Sequence, residues 1–371
     1  MPLGILASLG LAGTAAAQGR DTAAVRLAGR EAWRTDFSRR TVPSGEIVSG
    51  GVNRDGIPAI DRPRFESAAA AGRWLGRRDP VVVVEHGGQV KAYPLAILIW
   101  HEIVNDVVGG QPVAVTYCPL CNTALAFERR FDGQVLDFGV TGRLRYSDLV
   151  MYDRQTETWW QQATGEGIVG RYAGRRLVRV PSTILGWSQA RQLHPRITVL
   201  SRQTGFTRDY GRNPYVRYDD WGNRPFADFF PLGADQRFPM MERMVSVDRG
   251  PGWAAPLSLL RERRVAQAQV EGLPFVVFWS EGAASAVDDR TTAQGREVGQ
   301  TAVFDRRVEG RLLTFTADRG GFRDRETGSR WDLAGRAVSG PLRGRRLRAV
   351  PHENPFWFAW VAFRPNTTVW R

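Results

Sequence analysis

Cys118 and Cys121 are the only cysteines in the 371-residue chain, and two residues separate them in VTYCPLCNTALAF (115–127). Three chemistries use that spacing. Closing so short a loop with a disulfide removes little unfolded-state entropy, roughly 2 kcal/mol against about 3 for a fifteen-residue loop. A chain with a single bridge gains more by linking distant segments, so a structural staple is the weakest reading. A redox pair fits better, because two thiols two apart exchange between dithiol and disulfide with little backbone movement. Exchange requires a thiolate, so a neighbour must lower one thiol pKa, and His101 is the natural partner. The third chemistry is a metal clip. Cys118 and Cys121 offer soft ligands, His101 a third, and Met151, Asp148 or His194 a fourth, for copper or zinc. There is no second C-x-x-C, and HEIVN (101–105) lacks the final histidine of a zinc-protease H-E-x-x-H.

Other residues are placed around this pair by sequence. His101 and Asn105, and likewise Glu102 and Asp106, are spaced i, i+4 as on one helix face. Asn122 suits a turn and can hydrogen-bond a substrate, and Asp148 offers a further carboxylate. Cys118, Cys121 and His101 are therefore the candidate reactive set, with Asn122, Asp148, Glu102 and Asn105 around the pocket. His86 reads as a hairpin-turn residue, and His194 and His352 as structural.

The elements that must position these residues follow from patterning. VVVVEHGGQVKAY (81–93) reads as a hairpin turning at Gly87-Gly88, and LAILIWHEIVND (95–106) as a helix with Pro94 in its first turn. PVAVTY (112–117) is a strand leading into the cysteines. NTALAFERRFDGQVLDF alternates and turns at Asp132-Gly133, so both flanks of the pair are strands, unlike the strand-to-helix setting of a thioredoxin. LVMYDRQTETWWQQ (149–162) reads as another hairpin. A helix near 182–193, with Ser182 as N-cap, follows.

The chain also matches itself. PLAILIWHEIVNDVVGGQPVAVTY (94–117) lies ungapped on PLSLLRERRVAQAQVEGLPFVVFW (256–279). FERRFDGQVLDF (127–138) lies on FDRRVEGRLLTF (304–315), and GRYAGRRLVRVP (170–181) on GPLRGRRLRAVP (340–351). Three blocks in one order predict a tandem duplication and a β-rich α+β fold in two pseudo-equivalent halves. The expected organisation is a signal peptide (1–19), an N-terminal extension (20–60), repeat one (61–205), a connector rich in aromatics, Gly and Pro (206–242) and a degenerate repeat two (243–371). In the matched register His101 falls on Arg263, Glu102 on Arg264, Asn105 on Gln267 and Cys118 on Ser280. SDLVMY (147–152) has no counterpart. Only the first half carries the site.

Composition limits the partners. A formal charge of +13 arises from scattered arginines, with Lys91 the sole lysine, and no basic run interleaves with aromatics. Nucleic acid is therefore not an expected partner. The N-terminal MPLGILASLGLAGTAAAQGR carries a short apolar run ending in Ala15-Ala16-Ala17, an export signal with cleavage near Ala17. No later segment approaches the ~20 apolar residues that span a bilayer. The mature chain is expected to be periplasmic or secreted, without an integral membrane span.

HEIVND, VTYCPLCNTALAF, SDLVMYDRQTETWWQQATGEGIVG and HPRITVLSR together resemble the bacterial and archaeal family called domain of unknown function 3179, strongest over 55–245. The family carries no established activity. Selenoproteins among its members imply redox chemistry at the position of Cys118 or Cys121, since selenium has little purpose in a staple. The sequence thus predicts an extracytoplasmic thiol–disulfide protein, a thiol oxidoreductase acting on a thiol, disulfide or small molecule. A copper or zinc site on Cys118, Cys121 and His101, or a non-catalytic module with a structural disulfide, are the alternatives.

Overall fold

The computed structural model describes residues 26–29, 31–233 and 235–371; the expected export signal lies outside them. Strands dominate and the helices are short, an α+β arrangement. The first half holds three larger sheets and one two-stranded hairpin, Arg130–Phe131 with Gln134–Val135. One joins Ser182–Gly186, Pro80–His86, Gln89–Pro94, Thr198–Leu200 and Phe65–Ser67; a second joins Arg179–Val180, Thr123–Glu128, Gln111–Cys118 and Ile103–Val108. The third joins Ile47–Ser49, Phe138–Arg145, Asp148–Asp153, Trp159–Gln161 and Glu166–Val169. The expected turns at Gly87-Gly88 and Asp132-Gly133 are present, both glycines of the first at positive φ. Val81 to Val84 are all buried, so this strand is covered on both faces.

Two helix expectations are corrected. The helix after Pro94 runs only Leu95–His101, because Glu102 takes a left-handed conformation (φ 58°) and caps it. Asn105 and Asp106 therefore lie on the Ile103–Val108 strand, not on a helix face with His101 and Glu102. The β-branched run Ile103-Val104 favours that strand over a further helical turn. Ser182 is likewise not an N-cap: Ser182–Gly186 is a strand, and the helix is Trp187–Leu193 with Gly186 before it.

The second half repeats many of these contacts. Its helix Leu257–Arg263 ends at left-handed Arg264 (φ 61°), and Val265–Val270, Leu273–Ser280 and Gln300–Asp305 form the same antiparallel meander. Asn105 holds the backbone of Phe138 through both amide atoms (2.8 and 2.9 Å), and Gln267 holds Phe315 in the same way (3.2 and 2.9 Å). Trp160 donates to Asp153 at 2.9 Å, and Trp331 to Asp324 at 2.8 Å.

The halves share hydrophobic clusters. Val81, Val83 and Leu185 cluster with Val276, Phe278, Phe304 and Trp331. At the seam the Gly186 backbone passes so close to Gly282 that a Cβ there would sit 1.8 Å from the Gly282 carbonyl oxygen. The aromatic connector packs across both halves, as its composition suggests. Tyr218 O–H donates to Leu120 O in the first half, and Tyr218 N–H to Val287 O in the second. The buried carboxylate of Asp219 accepts from Arg243 and Arg296.

Candidate metal or redox centre

The strand Gln111–Cys118 delivers Cys118 to a tight reversal, and the chain returns as Thr123–Glu128 with Cys118 opposite Thr123. Asn122 turns the corner at φ 54°, a conformation its short polar side chain tolerates, and its N–H donates to Pro119 O at 3.3 Å. Its amide then donates to the carbonyl of Asn354, and Phe356 N–H to Cys121 O at 2.9 Å. The second half thus clasps the cysteine turn. Asn122 is a clamp residue here.

Asp148 arrives from another sheet. Tyr146 and Ser147 both take positive φ (54° and 65°), the backbone of a tight hairpin turn between Phe138–Arg145 and Asp148–Asp153. That turn places the Ser147 carbonyl 3.5 Å from Cys118 Sγ, which donates to it. The sulfurs of Cys118 and Cys121 and a carboxylate oxygen of Asp148 all lie within 4.8 Å of one another, the one such gathering of His, Cys, Asp or Glu ligand atoms among the described residues. Cys118 is 1% exposed, and Cys121 and Asp148 are 0% exposed. Both cysteines are free thiols.

The electrostatics are those of a buried acidic pocket. Burial pushes Asp148 up to about 7. Burial, and then the field of Asp148, push Glu102 up to about 8. Burial also raises Cys118, with Asp148 and Glu102 adding to the rise, and holds Cys121 well above the usual thiol range. Around this trio, four buried polar atoms lack hydrogen-bond partners among the described residues, Ser147 Oγ, Tyr117 O–H, Gln161 Oε1 and Gln162 Oε1, while Asp148 takes a hydrogen bond from the Cys121 thiol. Asp148 Oδ2 accepts from Gln161 Nε2 and from Ala163 N at 2.9 Å. Gln162 Nε2 donates to Thr116 Oγ1 and Thr123 O, beside Cys118. Unsatisfied buried atoms cost roughly 1–3 kcal/mol each, so four together need a physical reason.

His101 does not join the sulfurs, and its expected role as third ligand or thiolate partner is corrected. Its Nδ1 donates to Pro58 O at 2.7 Å, and its Nε2 accepts from Tyr210 O–H at 2.7 Å. Burial lowers its pKa, so it is a neutral pin joining the N-terminal segment to the connector. Asn105 is committed to Phe138 and Asp61. Of the expected pocket residues, Asp148 meets the cysteines and Glu102 is coupled to them through its field. His101→Gln is accordingly expected to cost about 1 kcal/mol per lost hydrogen bond while leaving bound metal unchanged. Thermal melting and elemental analysis of one preparation check both parts.

Gln161, Gln162 and Ser147 were not singled out by sequence, although a signal for the glutamines was present. In the register set by Asp153 and Asp324, Gln161-Gln162 fall on Asp332-Leu333, another difference confined to the half with the cysteines.

Residues 54–367 match the family model described as "Protein of unknown function (DUF3179)". The chain belongs to this family. No curated protein and no solved structure matches it. Among the described residues of this DUF3179 protein, no helix is long and apolar enough to cross a membrane.

Proposed function

We propose that this protein is an extracytoplasmic metal-binding protein whose ion is held by Cys118, Cys121 and Asp148. One observation carries the reading: two buried thiols and the buried carboxylate of Asp148 converge within 4.8 Å of one another, the Cys121 thiol donating to Asp148. A divalent cation there would favour thiolates over thiols and would remove the cost of three raised pKa values at once. Two sulfurs with a carboxylate favour zinc over copper(I), which prefers sulfur alone. Bound zinc supplies Lewis acidity and lowers the pKa of a coordinated water. The free amide oxygens of Gln161 and Gln162 are acceptors suited to holding such a water or a polar substrate. The second half, whose contacts repeat those of the first but which has Arg264 and Ser280 in place of Glu102 and Cys118, fits a duplicated scaffold that holds the site in place.

Thiol–disulfide exchange is the second reading, favoured by two free thiols in one tight turn. Reactive thiols are usually accessible and of lowered pKa, whereas these are buried and raised. Protein purified without chelator decides between the two. We expect about one zinc per chain, stoichiometric as in structural and catalytic zinc sites. Metal-free protein with a reversible disulfide would replace the metal reading with the redox one.

A further inference from the structure

A cleft of about 960 Å³ opens where three parts of the chain meet. Trp74 and Trp100 of the first half wall it, with the connector from Asp209 to Val216 and the stretch from Arg290 to Ala293 of the second half. Junctions of this kind are where small-molecule sites usually form, and the volume lies within their range. The wall differs from the mainly apolar one usual at such sites, because charged and hydroxyl side chains surround two indoles.

The floor of the cleft is already saturated. The buried carboxylate of Asp79 accepts from Thr292 Oγ1 and from Gly76 N–H, both at 2.7 Å. Asn213 donates to Asp289 O at 2.8 Å and accepts from Tyr215 N–H at 2.7 Å. Both half-buried indoles are pinned by their N–H groups, Trp74 to Glu66 at 2.7 Å and Trp100 to Arg212 O at 3.2 Å. The Arg202 guanidinium lies 4.9 Å over the Trp74 ring, a contact that takes one face only.

The rim, by contrast, has capacity left. Arg212 and Asp209 approach only to 3.9 Å, with side chains 70% and 69% exposed. Arg290 is exposed, and its guanidinium has no ion pair or hydrogen bond among the described residues. Two guanidiniums face two carboxyls, Asp79 and Asp209, so the charges of the lining balance and favour neither an anion nor a cation. Donors and acceptors stand side by side on this rim. A hydroxyl serves both, donating to a carboxylate and accepting from a guanidinium.

We infer that this cleft binds an uncharged saccharide of about two or three rings, its C–H faces against Trp74 and Trp100 and its hydroxyls on Asp209, Arg212 and Arg290. A flat aromatic molecule would cover the indoles but leave the charged rim without partners. The site is independent of any metal at Cys118 and Cys121.

The test uses the full chain, followed by tryptophan fluorescence and calorimetry, with maltotriose, cellotriose and tri-N-acetylchitotriose as probes. At least one of these is expected to bind about tenfold more tightly than its own monosaccharide, since a second ring reaches the second indole. Trigalacturonate and 1-naphthoate should bind more weakly than that trisaccharide. Trp74→Ala should weaken binding about tenfold. Arg290→Ala should weaken it severalfold with an unchanged melting temperature, because this side chain is exposed. Comparison of ligands on the unmodified chain needs no variant, so a folding defect cannot mimic it. Failure of all three trisaccharides to bind, tighter binding of trigalacturonate or naphthoate, or binding untouched by both substitutions overturns the inference.

Discussion

Replacing Cys118 or Cys121 with serine is expected to weaken zinc binding by more than about 100-fold, the upper end of the loss seen for outer-shell partners alone. Either sulfur supplies one of the three ligand atoms gathered within 4.8 Å, and a serine hydroxyl is both harder and far less acidic than a thiol. The two substitutions should act alike, because both thiols are buried and both are ligands. This symmetry separates the readings. In exchange chemistry one sulfur attacks and the other resolves, so one variant would trap mixed disulfides and the other would not. Cobalt-loaded protein offers a direct readout: its sulfur-to-metal absorption should fall by about half in each single variant and vanish in the double one. Equal metal content in unmodified and double-variant protein would end the metal reading. Asp148→Asn should also weaken binding, with the sulfur absorption retained, since the amide keeps the shape but not the charge.

Much of this centre can be traced to the chain itself. The cysteine hairpin follows from PVAVTY before the pair and alternation after it, and both flanking strands are observed. The comparison of halves identified Cys118, Glu102 and Asp148 as residues without a like counterpart, and these three share one electrostatic pocket. The imidazole was misplaced for a local reason. Reading His101 to Asp106 as one helix gave His101 a face toward the cysteines, but the left-handed turn at Glu102 changes the chain's direction. In the first half that position is glutamate and in the second arginine, neither a residue that advertises positive φ, so the end of the helix was not legible. Pro58 and Tyr210, which claim both ring nitrogens, lie far from His101 in sequence, and no local pattern reports them.

Metal-stripped protein is expected to lose stability as pH rises from about 7 to 8. The sign follows from the carboxyls. Asp148 titrates near 7 in the fold against 3.8 for the ordinary group, and Glu102 near 8 against 4.5. Between those values the folded state holds protons that the unfolded chain has released, so each group subtracts about 1.4 kcal/mol per pH unit at most. Their stabilising contribution is whole below pH 4 and gone above 8. Carboxylates that salt bridges depress, such as Asp305 at about 2, change only at lower pH and add no slope here. His101, His194 and His352 are lowered by burial and act with opposite sign, and their contribution fades as the unfolded chain's histidines finish losing protons, about one pH unit above 6.5. The interval from about 7 to 8 is therefore where the buried acids dominate. Urea midpoints measured with chelator present should fall across it, with a shallower fall in Glu102→Gln. Added zinc should reverse the trend, because the ion displaces the same protons and binds more tightly as pH rises. Stability that is flat or rising from about pH 7 to 8 without metal would mean that these carboxyls are not held protonated. The raised pKa values of this pocket would then no longer argue for an ion.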